Sequence, residues 1–433
     1  MNLNAINQQL AHLLQAFDLN QPLGGCSLVI YHRGQCVTAL AHGTATVDKT
    51  TGARTPWTPH TLALNFSTGK GVLVTLVHCL VSQGLLDYDT PIAAYWADFA
   101  QHGKAGITLR DVLSHRANLY DVQQITHTAK DMLDWQAMVA KVAAMPPTTP
   151  THTDVPTVAY SALVSGWVLG GLVERVTGLT LQAALARYLL APLGLVGQVY
   201  FGVPRAIVPE VAQRLRPPSA NSERSKPVLQ TDSATTLAFY QTLPMYADWQ
   251  RLAATDEVLN TQAINALYFT PSQVAPADYQ AALVPEGSRQ FNYYHPASLQ
   301  AKIPAANGVA SAQALATIYA MLANGGQWTI HGKPRTLITP EVFAALQQVQ
   351  NQQADKVMPA TMQWRLGYHR VFSRLHAVAD GFGHMGYNGS MAWCDPDRQL
   401  AVAFVHNYDT TMLNDVRQFI LTEQILDFFD NVA

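Results

Sequence analysis

Apolar and polar positions recur along this chain with two different periods, and the changes of period divide it into elements. Residues 5 to 17 put Ile6, Leu10, Leu13, Leu14 and Phe17 on one side of a helix, the spacing of an amphipathic surface helix. Cys26–Tyr31 and Gln35–Leu40 are β-prone runs separated by His32-Arg33-Gly34, which predicts a hairpin. Thr50 to Pro59 reads as a polar loop. Beyond it, Gly71 to Val81 is apolar on nearly every face, and Gly84 ends the run. A helix without a polar face belongs in a core, and this run is well short of the ~20 apolar residues that span a membrane. A buried helix is therefore expected over 67–83.

Further on, Leu85–Ile92 predicts a turn, and Thr108-Leu109-Arg110-Asp111 a capped helix start. Helices are predicted from Asp131 to Met145, stopped by Pro146-Pro147, from Val158 to Thr177, ended by Gly178, and from Leu181 to Leu190. Residues 204 to 290 carry the weakest pattern, and Arg216 to Arg224 reads as a surface connector. Ala312 to Leu322 is helical, with Asn324-Gly325-Gly326 as its stop, and Thr339-Pro340-Glu341 opens another helix. Ser390–Cys394 and Gln399–Val405 flank the turn Asp395-Pro396-Asp397-Arg398, and Thr411 to Phe429 closes the chain as an amphipathic helix. Strands at both ends with helices between them predict an α+β fold. One antiparallel sheet is built from the two termini and flanked by helices, with a helical lobe inserted and a cleft at the junction. The expected division is 1–95 plus 300–433 for the sheet domain and 96–299 for the lobe.

Bulk properties narrow the function. The chain has 433 residues, 27 basic against 29 acidic, which leaves no basic footprint for nucleic acid or an anionic membrane. The first ten residues lack the cationic and apolar regions of a secretory signal. Four widely spaced cysteines make neither a disulfide scaffold nor a C-x-x-C site. A cytoplasmic protein is expected. Fifteen histidines invite a metal, yet no H-E-x-x-H occurs, and His127 and His152 sit in polar connectors without companion ligands. Neither metal nor cofactor is expected. Phosphate-loop and G-x-S-x-G signatures are absent too.

The chemistry begins at Ser67-Thr68-Gly69-Lys70. Residues three apart share a helix face, so the hydroxyl and the amine can meet. The positive end of the helix dipole and burial both disfavour an ammonium there. A neutral lysine can take the serine's proton, which makes a nucleophile beside its base. By itself this short motif also describes an ordinary capping serine near a solvated lysine.

Four stretches in order add to it. They are Ser67–Lys70 followed by Leu85–Trp96; Ile107–His115; Tyr160-Ser161-Ala162-Leu163 with Gly166–Gly170; and Gly383-His384-Met385-Gly386-Tyr387-Asn388-Gly389-Ser390. With them the chain resembles the serine β-lactamase and penicillin-recognising fold, and within it the class-C-like family VIII carboxylesterases. Ile303–Gly308 matches the esterase branch as well.

The resemblance implies Ser67 as nucleophile and Lys70 as its proton acceptor. It implies Tyr160, on a helix facing the serine, as the relay to the leaving alcohol, with its pKa lowered by a neighbouring ammonium. His384-Met385-Gly386 takes the place of the family's Lys-Thr-Gly strand. The oxyanion then lies between the backbone N–H groups of Ser67 and Tyr387, and Gly386 lets substrate approach the strand edge. Two departures bear on the substrate. His384 is mostly neutral near pH 7, and Ala162 replaces the asparagine of Tyr-x-Asn. Both weaken binding of anionic lactams and cost a neutral ester little. The expected function is a serine carboxylesterase that cleaves small neutral esters through an acyl-enzyme, with no nucleic-acid or membrane partner. The alternatives are a β-lactamase, a D-amino-acid peptidase or an acyltransferase of the same fold, or a non-catalytic binding or scaffold member.

Overall fold

The computed structural model describes residues 2–18, 23–148, 157–216, 232–288, 291–330 and 332–430. Twelve strands occur among them: β1 Gly25–His32, β2 Gln35–Val47, β3 Arg54–Pro56, β4 Ala63–Phe66, β5 Val199–Tyr200, β6 Gly308–Ala310, β7 Gln327–Ile330, β8 Lys333–Thr336, β9 His369–Arg370, β10 Phe382–Met385, β11 Met391–Asp395 and β12 Leu400–His406. Seven form one antiparallel sheet in the order β3-β2-β1-β12-β11-β10-β9. The first and last parts of the chain therefore meet at its centre, where Val29 lies opposite Ala403. A second small sheet, β4-β6-β5, joins the strand before Ser67 to the middle of the chain.

Strands β1 and β12 are buried along almost their whole length, because helices cover both faces of the sheet. Successive side chains point to opposite faces. Leu28, Ile30, Val402 and Phe404 join a core with Leu10 and Leu14 of the first helix (α1, Leu3–Ala16) and with Ile420 and Leu421 near the C-terminus. Val29, Tyr31, Ala403 and Val405 face a larger core containing the helix after Ser67 (α2, Thr68–Ser82) and the helix Ala312–Ala323. Helix α2 is buried from Thr68 to Leu80. It touches the second helix closely at Gly71, where a Cβ would stand 2.0 Å from the Tyr319 hydroxyl oxygen.

Several predicted elements differ in extent from the expectation, two of them where a carboxylate captures a backbone amide. The helix expected from Asp131 breaks at Asp134, whose carboxylate caps a new helix, Trp135–Ala144, by accepting from the Ala137 amide. The helix expected from Val158 begins only at Val164. The amides of Ala159 and Tyr160 donate instead to the His115 carbonyl and the Asp355 carboxylate, so Tyr160 does not stand on a helix. The closing helix starts at Arg417 rather than Thr411. The Thr50–Pro59 loop contributes the short edge strand β3, and Leu181–Leu190 continues through a wide turn to Leu193, ended by Gly194 at φ +71.

The weakly patterned region contains the helices Ala234–Gln241, Tyr246–Ala253, Thr261–Tyr268 and Pro276–Leu283. His152 and most of the expected connector, residues 217–224, lie outside the described residues. Among the described residues no helix is long and apolar enough to cross a membrane, and no three metal-ligating side chains cluster.

Candidate active site

The site starts from an irregularity in β4. Its register against β6 shifts between Leu64 and Phe66, and Phe66 adopts φ +50. A non-glycine residue held in that region costs on the order of 1–3 kcal/mol. The turn it makes delivers Ser67 to the first position ahead of α2. Gly69 and Gly308 approach closely beneath it, since a Cβ on Gly69 would lie 3.1 Å from the Gly308 Cα.

One helical turn on, Lys70 Nζ lies 3.0 Å from Ser67 Oγ and donates to the Ala305 carbonyl at 2.6 Å. Ser67 Oγ is 3.4 Å from the same carbonyl. Ala305 is held by the tight loop 303–308. Asn307 clamps that loop, donating to the carbonyls of Ser298 and Ala301 and accepting from the Ile303 amide. The lysine is only 4% exposed, and burial drives its pKa well below the ordinary lysine value. The amine is thus disposed to be uncharged. It then carries two hydrogens and one lone pair; Ala305 takes one hydrogen, and the lone pair is free for the serine proton.

Tyr160 closes the group. Its phenol lies close enough to the Ser67 side chain for that hydroxyl to lower its pKa, and Lys70 Nζ stands 5.0 Å from its ring centroid. The ring is stacked on Trp364 at 5.2 Å and 14° and meets His115 edge-on at 5.1 Å. Beneath it, one oxygen of Asp355 accepts from the amides of Tyr160, Val357 and Met358, and the other accepts from Trp364 Nε1. Backbone, ring and stacking partner are therefore fixed by one buried carboxyl. The expectation of a lowered phenol pKa is corrected here. Burial raises the Tyr160 pKa and outweighs the lowering effect of the Ser67 side chain. A phenol so raised is neutral near pH 7 and can both donate and accept a hydrogen bond.

Strand β10 brings the last group. His384 is 3% exposed and its pKa is pushed well below the ordinary value, first by burial. Its Nδ1 lies 3.1 Å from the Met385 carbonyl, which places the proton on Nδ1. Its buried Nε2 has no partner among the described residues. The Met385 amide donates to His369 Nε2 at 2.9 Å, and His369 is itself held neutral, its pKa lowered by burial to about 4. Gly386 follows. A Cβ there would stand 2.4 Å from the Asn65 carbonyl oxygen, so only glycine lets this strand lie against the turn before Ser67. Among the described residues the amides of Ser67 and Tyr387 donate to no protein acceptor. That leaves both for an oxyanion.

Ser67 and Tyr387 open onto a cavity of about 220 Å3, lined also by Phe66, Ala162, Leu163, Tyr279, Phe291 and Tyr293. Its walls come from both ends of the chain and from the middle. The structure thus brings Ser67, Lys70 and Tyr160 together and sets Gly386 and Tyr387 in the turn that follows β10. His384 lies behind that strand edge. Sequence reasoning missed three contributors: the Ala305 carbonyl, the Asp355 carboxyl and the aromatic wall. Phe291-Asn292-Tyr293-Tyr294 was a visible signal for the last. The other two act through tertiary contacts that leave no local pattern.

This fold and this serine-lysine arrangement define a class, and the comparisons agree on it. The Beta-lactamase family model matches residues 8–426. The esterase/beta-lactamase LipL of Mycobacterium tuberculosis is 31% identical over 93% of this chain and 82% of its own. The chain belongs to the Beta-lactamase family. Among solved structures, a penicillin-binding protein homologue from Caulobacter crescentus is 28% identical, with a TM-score of 0.74 over 99% of this chain and 98% of its own. A family VIII carboxylesterase, 24% identical, shares the fold with a TM-score of 0.73 over 98% of this chain and 97% of its own.

Proposed function

We propose that this protein is a cytoplasmic serine carboxylesterase that cleaves small neutral esters through an acyl-enzyme. The carrying observation is the 3.0 Å approach of the buried Lys70 amine to Ser67 Oγ, with burial lowering the lysine pKa and so favouring its neutral form. Lys70 takes the serine proton as Oγ attacks the ester carbonyl. The tetrahedral oxyanion is held by the amides of Ser67 and Tyr387. Tyr160 passes a proton to the departing alkoxide and recovers one from Lys70, which returns the amine to its neutral form. Water then attacks the acyl-enzyme by the same relay in reverse and releases the acid. No metal or cofactor enters these steps.

Preference for a neutral ester rests on two residues. His384 carries no charge where the Lys-Thr-Gly strand would carry one, and Ala162 offers no amide to a lactam side chain. The name of the Mycobacterium tuberculosis relative supports ester hydrolysis and also a second reading, β-lactam hydrolysis at the same serine. Ser67→Ala is expected to abolish p-nitrophenyl acetate turnover, and retained turnover removes the proposal. Nitrocefin turnover as efficient as ester turnover favours the second reading.

A further inference from the structure

The ester site has one large side that the reaction steps above do not use. Phe66, next to the nucleophile, is the hub of an aromatic box. Its ring meets Tyr293 at 5.6 Å, Tyr387 at 5.7 Å and Tyr294 at 6.2 Å, all between 60° and 69°. Phe291 meets Tyr293 edge-on at 4.9 Å. Leu163 and Leu283 line the same cavity. Arg214 and Asp409 line it too, with the Arg214 guanidinium 5.1 Å over the Tyr294 ring; rings such as Phe66, Phe291 and Tyr293 prefer another ring, set offset or edge-to-face.

We infer that this box binds the acyl half of the substrate and that its preferred occupant is an arylacetyl group. The inference rests on the esterase reading above. Three observations carry it. First, Lys70 and Tyr160 do not line the cavity. The alcohol must leave beside the phenol that protonates it, so the group that stays on Ser67 is the one facing the rings. Second, size limits the occupant. A dry cavity of about 150 Å3 holds benzene, and about 220 Å3 here holds one ring with a few further heavy atoms, the dimensions of a phenylacetyl group. Third, the box keeps its tyrosines uncharged. Burial raises the pKa of Tyr293 and Tyr387, and takes those of Tyr279 and Tyr294 up to about 12. An aryl group thus meets neutral hydroxyls able to bond a ring substituent, and no phenolate.

Two isomeric esters separate the halves. Methyl phenylacetate carries its ring on the acyl side, and benzyl acetate carries the same ring on the alcohol side; both leave as simple alcohols. The kcat/KM of the purified protein is measured for both, with methyl acetate as reference. Methyl phenylacetate is expected to be favoured over benzyl acetate by about tenfold, within the range that ring pairing contributes. Tyr293→Leu is expected to lower that ratio severalfold and Tyr293→Phe to keep it, with circular dichroism checking that each variant folds. Equal or inverted preference in the unaltered protein overturns the inference, whatever the variants do. Methyl acetate turnover without an aryl preference overturns this inference alone. Turnover of no ester overturns the esterase reading and this inference with it.

Discussion

Tyr160→Phe removes one oxygen from the proposed proton circuit and little else. The ring that remains keeps its 14° stacking on Trp364 and its contact with His115. The Tyr160 amide keeps its bond to Asp355. Stability should therefore change by no more than one side-chain hydrogen bond, about 1 kcal/mol. Catalysis has more at stake. The phenol is the group placed between Ser67 and the departing alkoxide, and positioned acid–base groups of this kind contribute about 10²- to 10⁴-fold, or ~3–5 kcal/mol of barrier. Among the described residues no other hydroxyl is hydrogen-bonded to Ser67 Oγ, so no substitute donor is at hand. The assay is kcat and KM on p-nitrophenyl acetate and on methyl acetate, paired with a urea midpoint. The loss should fall on kcat and be larger for methyl acetate, because methoxide needs the proton far more than nitrophenolate does. Methyl acetate turnover within threefold of the unaltered protein, at unchanged stability, refutes the role given to Tyr160.

Three further outcomes follow from the same geometry. Because burial lowers the Lys70 pKa, the reactive amine is present above that lowered pKa and lost as pH falls through it. The kcat/KM should accordingly rise on the acid side and level off well before the ordinary lysine pKa of ~10.4; a profile still climbing at pH 10 contradicts it. Gly386→Ala drives a Cβ to within 2.4 Å of the Asn65 carbonyl oxygen, which should cost about 1–3 kcal/mol and displace the Tyr387 amide. Turnover should drop at least tenfold in a folded protein, and unchanged kcat and Tm would count against the oxyanion assignment. Asp355→Asn keeps the oxygen that bonds three amides but turns an N–H toward Trp364 Nε1. A loss of about 1–3 kcal/mol is expected, read as a lower urea midpoint, and no change shows that the carboxyl does not hold this corner.

What the sequence determined by itself was periodicity and short-range chemistry. The buried helix after Ser67, the terminal strands and the capping box at Thr108 were legible, because spacing along a chain decides which side chains share a face. The meeting of Ser67 with Lys70 was legible for the same reason: it happens within one turn. Tertiary structure decided the rest. Tyr160 left its expected helix because Asp355, 195 positions away, captures its amide. Its pKa moved opposite to the sequence-based expectation because burial dominates its surroundings. The Ala305 carbonyl aims Lys70 across 235 positions, and Tyr279 comes to the same cavity as Phe66 from the weakly patterned region 204–290. Local pattern records which way a residue faces; what it faces, and how dry that place is, depends on chain brought in from far away.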